Sequence, residues 1–169
     1  MGMRIIGLFA AAILLFVGVL MMHPTFRQSF NEVNVELMQQ AEEQGLLEAE
    51  VPMGAKNVVG NGCEINGVLA GEIRFELRGV DWTYRSAVIA ADGDTIPDIS
   101  GVEGDFKTLE TQVHHCDAVV SVGEDGVGKI LWYDAVPGVA YSLSMAENAN
   151  GDTLQSIANF MFTPLQGDA

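Results

Sequence analysis

Residues 5–22, IIGLFAAAILLFVGVLMM, pass without a single charge. As a helix this run would rise about 27 Å, close to the roughly 30 Å hydrocarbon core of a bilayer. A core helix of a soluble domain would carry a polar stripe, and this run carries none. A membrane span is therefore expected. A secretory signal has an apolar region of about 7–15 residues and a small-residue cleavage site. The run here is longer, and it ends in Leu20-Met21-Met22-His23-Pro24, too bulky for such a site. The segment is expected to stay in the bilayer as an anchor. Arg4 precedes it, and six Glu against one basic residue, Arg27, follow over 24–50. The positive-inside rule then puts residues 1–4 in the cytoplasm and the rest across the membrane. The expected setting is a single-pass protein of a bacterial inner membrane with a periplasmic domain.

Charge bounds what that domain can meet. Among 169 residues, 23 are acidic and 8 basic, a formal net charge of -15. Such a field repels nucleic acid, which is excluded as a partner. The chain has two cysteines, Cys63 and Cys116. An even count in an oxidising compartment leads us to expect a disulfide, which would close a loop of about 50 residues and add about 4 kcal/mol in the chain-entropy view.

After the anchor, 23–48 reads as an amphipathic helical stalk. Phe26, Phe30, Val33, Leu37 and Ala41 recur at helical spacing and line one face, the expected interaction face for a protein partner or a second copy of the chain. Gly45 suits the residue just past a helix. Residues 49–62, with Pro52, Gly54, Gly60 and Gly62, read as a linker, and 63–169 as a β-rich domain. Strands are expected over 73–77, 82–91, 118–122, 129–134 and 139–145, with a hairpin turn at Val136-Pro137-Gly138. Residues 153–162 have the spacing of a short helix, for which Asp152 is the expected cap. The fold class is α+β: the anchor runs into the amphipathic helix, and a mainly antiparallel β domain follows, either a sandwich or a single sheet packed on the helix.

Candidate chemistry is sparse. Asp92, Asp94 and Asp98 form an acidic turn that is a weak calcium candidate, without the alternating ligands of an EF-hand loop. His114-His115-Cys116 has metal-binding residue types. On a strand, however, neighbours point to opposite faces, so no metal site is expected there. Trp82 and Tyr84, two apart, would share a strand face and could offer an aromatic surface to a glycan or a protein. The chain contains no Gly-x-Ser-x-Gly elbow and no phosphate-binding glycine loop. No cofactor and no enzymatic role are expected.

The order of anchor, amphipathic helix and β domain with two cysteines resembles type IV pilins and pseudopilins in layout. The Phe-Thr-Leu-Ile-Glu motif of that family is absent, and Gly2-Met3-Arg4-Ile5-Ile6-Gly7 carries no Glu. The leading expectation is a membrane-anchored, non-enzymatic scaffold or protein-binding subunit of an envelope complex. The alternatives are a pilin-like subunit of a filament or secretion system, and an exported calcium- or glycan-binding domain.

Overall fold

The computed structural model describes residues 35–93 and 95–164. The expected span over 5–22, and Phe26, Phe30 and Val33 of the stalk, lie outside these residues. Among the described residues, no helix is long and apolar enough to cross a membrane.

Helix α1 (Val35–Glu43) leads into seven strands: β1 (Lys56–Ile65), β2 (Val68–Leu77), β3 (Val80–Val88), β4 (Phe106–Val113), β5 (Cys116–Gly123), β6 (Gly128–Asp134) and β7 (Val139–Met145). Helix α2 (Gly151–Met161) closes the order. The strands form one antiparallel sheet in the order β1-β2-β3-β7-β6-β5-β4. Of the two architectures expected, the single sheet is the one observed. It consists of two meanders, β1-β2-β3 and β4-β5-β6-β7, joined where β7 pairs with β3. The expected strands all appear. Strand β1 begins inside the stretch read as a linker, and β4 falls where no strand was expected.

Register fixes the two faces, because successive side chains alternate. Ile73 lies opposite Tyr84, Tyr84 opposite Leu143, and Leu143 opposite Ile130. These residues, with Phe75, Trp82, Val120, Trp132 and Met145, form the main core. Both helices lie on this face. In α2, Leu154, Ala158 and Met161 recur at helical spacing and are fully or almost fully buried in that core. The cap of α2 is Asn150 and not Asp152: the Asn150 side chain accepts the Thr153 N–H at 2.9 Å, and Asp152 sits in the first turn, where a negative charge suits the helix dipole.

Helix α1 ends as the sequence suggests. Gly45 has φ +70°, Leu46 N–H donates to the Ala41 carbonyl at 2.9 Å, and Gly45 N–H donates to the Glu42 carbonyl at 3.0 Å. Together these make a Schellman cap. The helix packs on β1 and β2. Gly62 and Gly71 are register partners across those strands. A Cβ on Gly62 would overlap the backbone of Leu37 and Met38, and one on Gly71 would overlap the Leu46 carbonyl. Gly62, one of the glycines that suggested a linker, is thus with Gly71 the floor on which the helix and its C-terminal turn rest. Ser86 on β3 fastens the same segment by donating its hydroxyl to the Leu46 carbonyl at 2.5 Å. Ala41 is completely buried within this chain, so that member of the expected interaction face is not available to a partner.

The opposite face carries Ala70, Ala87, Ala140, Cys63 and Tyr133. Residues 89–105 connect β3 to β4, which are separated in the sheet by β7, β6 and β5. This connection crosses the second face and contributes Ile99 to a small core there.

Candidate functional site

The crossing segment is held down by two cations, one buried and one partly buried. Lys129 on β6, with a side chain only 8% exposed, donates to Asp98 Oδ2 and to the Val102 carbonyl, both at 2.6 Å. Its ammonium also lies 4.9 Å from the centre of the Phe106 ring. Arg85 on β3 donates to the Ser100 carbonyl and pairs with Glu72 Oε2 at 2.7 Å, while Arg74 pairs with Glu72 Oε1 at 2.6 Å. Burial alone would raise the Asp98 carboxyl. Bonds from the Lys129 ammonium and from the Ser100 hydroxyl and N–H outweigh it and hold Asp98 below the usual carboxylate range.

Beyond these pins the segment leaves an open groove of about 1130 Å³ against the sheet. Phe106, Thr108, Glu110 and Gln112 line it from β4, Asp117, Val119 and Ser121 from β5, and Lys129 and Leu131 from β6; Thr95, Ile96 and Gly104 form its far wall. Glu110 and Asp117 are exposed and have no cationic partner among the described ion pairs; Asp117 accepts from Gln112 Nε2 at 3.3 Å. Among the described residues, no histidine or cysteine lines the groove. Strand β4 is an edge of the sheet, and its side chains are mostly exposed. Its outer row of backbone donors and acceptors runs beside the groove. Sequence reasoning missed this site because the strand that forms it, FKTLETQV, is too polar to register as a strand.

The residues singled out in the sequence are placed elsewhere. Cys63 and Cys116 are both free thiols, so the expected disulfide is not formed. Their strands stand five places apart in the sheet, about 24 Å at ordinary strand spacing, and a disulfide needs Cα atoms within about 7 Å. The two thiols also face opposite sides, Cys116 in the main core and Cys63 in the small one. Burial first, and then the charges of Asp134 and Asp117, push the Cys116 thiol up to about 11. Burial and then the Glu72 charge push Cys63 up as well. Trp82 and Tyr84 share a face as expected, but they are 3% and 1% exposed, so they form core and not a binding surface. Trp82 stacks on Phe75 at 6.2 Å between ring centres, and Tyr84 packs against Trp132 at 6.1 Å.

The calcium candidates do not converge either. Asp98 gives both carboxylate oxygens to Lys129 and Ser100. Asp92 is exposed in an isolated bridge with Thr95, and Asp94 lies outside the described residues.

His114 and His115 form the two-residue turn between β4 and β5, with His114 at φ +51°. The strand argument that separated them from Cys116 therefore does not apply. His114 is committed to helix α2: its N–H donates to Asn159 Oδ1 at 2.7 Å, and its Nε2 lies 2.8 Å from the Asn159 carbonyl. His115 is exposed. The chain matches no family model, no curated protein and no solved structure.

Proposed function

We propose that this chain is a membrane-tethered, non-enzymatic binding subunit whose β domain takes an extended, basic segment of another protein along β4. The observation that carries this reading is the groove: the outer edge of β4, which no other strand of the described sheet pairs and where Gln155 Nε2 of α2 donates to the Gln112 carbonyl at 2.7 Å, lies beside an open channel that bears the Glu110 and Asp117 carboxylates. An edge strand supplies main-chain hydrogen bonds to an added strand, and alternate side chains supply the selectivity. Phe106, Val119 and Leu131 provide apolar contact, while Thr108, Gln112 and Ser121 provide hydrogen-bonding groups. The tether is read from residues 5–22 and the cytoplasmic placement of residues 1–4 from the charge asymmetry around them.

A photo-crosslinking residue at Thr108 in the full-length chain tests the reading in intact cells. The expected result is a discrete crosslinked partner that disappears when Glu110→Lys and Asp117→Lys are combined. A chain that gives no crosslink from Thr108 and runs as a lone monomer in mild detergent would overturn it.

A further inference from the structure

We propose that His115, Cys116 and Asp134 form a site for one divalent metal ion of the zinc class, with a coordination position open to solvent. A ring nitrogen, the Cys116 Sγ and an Asp134 oxygen all lie within 4.8 Å of one another. Ligand atoms on a tetrahedral ion sit about 3.5 Å apart, so a small swing of an exposed side chain closes the set.

The fold brings these residues together for definite reasons. Ala118 pairs with Trp132, so two residues further along, the first residue of β5 and the last of β6 come to the same face. His115 is delivered by the turn that precedes Cys116. The turn is in turn held by its neighbour: His114 is bonded through both its backbone and its ring to Asn159 near the end of α2. Such a support orients a ligand before the ion arrives.

Asp134 provides an independent reason to expect a cation. It is 2% exposed, and its Oδ1 accepts the Val136 N–H at 3.2 Å. Among the described ion pairs it has no Lys, Arg or His partner. A buried carboxylate without a cation is costly, and a metal ion is one of the two usual remedies. The donor set selects the ion. Imidazole, thiolate and carboxylate together suit zinc or cobalt, whereas calcium and magnesium take oxygen ligands. Three protein ligands, one of them exposed, leave the fourth position for water or a ligand. None of the three lines the groove, so the site stands or falls separately from strand addition at β4.

The test is a titration of the metal-free, full-length chain in mild detergent with Co²⁺ alone. The expected result is one ion per chain, the visible bands of tetrahedral cobalt, and a sulfur-to-cobalt charge-transfer band in the near ultraviolet, all abolished by excess Zn²⁺. Cys116→Ser should remove the charge-transfer band, and Cys63→Ser, on the other face, should leave it intact. His115→Gln changes only an exposed turn and should weaken Co²⁺ binding by more than about tenfold. The proposal is overturned if the wild-type chain shows no charge-transfer band, if the band survives Cys116→Ser, or if His115→Gln binds cobalt as the wild type does.

Discussion

Glu72 shows how a single residue can organise one face of the sheet. Its side chain is 6% exposed and bridges Arg74 and Arg85, and Arg85 reaches on to the Ser100 carbonyl. Removing one partner of a buried ion pair strands the other charge. Glu72→Gln should therefore cost about 3 kcal/mol in urea denaturation, toward the lower end because Arg74 is half-exposed and can hydrate. Asp98 gives a pH signature. Its folded-state pKa is depressed, so its contribution to stability is fully present above its unfolded value, about 3.9, and is lost as pH falls through the lower folded value. Asp98→Asn should flatten the acid limb of a stability–pH curve below about pH 4 and leave the curve's shape near neutrality unchanged. The cysteines are tested directly: after denaturation without reductant, both should react with a thiol reagent. In the native chain, half-buried Cys63 should react before Cys116.

At the scale of elements, the pair Gly62 and Gly71 is the seat of α1. Gly62→Ala should lower stability by about 1–3 kcal/mol through overpacking, read as a lower urea midpoint. That pair also explains what could be read from the sequence. Strands β2, β3, β5, β6 and β7 carry β-branched and aromatic residues in alternation or short apolar runs, and each was legible. Strand β1 was half hidden because Gly60 and Gly62 look like turn residues unless the helix above Gly62 is known. Strand β4 was hidden because an edge strand that buries only its last residue, Val113, in the core needs little apolar pattern. The same blindness extends to the site: Glu110 and Gln112 become groove residues only through β4. The cluster at His115, Cys116 and Asp134 was obscured because the pairing of β5 with β6, not spacing along the chain, brings Asp134 to Cys116.

The described residues build a one-layer sheet with helices on one face and a strap across the other. If residues 5–22 anchor it, the full chain should stay with membranes through an alkaline carbonate wash. Deleting residues 1–22 should release a β domain with unchanged far-ultraviolet circular dichroism from residues 35–164, whose two cores are built from side chains of residues 47–162. The join between β3 and β7 carries a kinetic consequence. Trp82 pairs with Met145, a partner about 60 residues later. During synthesis β3 is made long before β7, and until Val139–Met145 is available its free edge is open to pairing with other chains. The closing of that join, a contact between residues distant along the chain, is where refolding should be slowest and most concentration-sensitive.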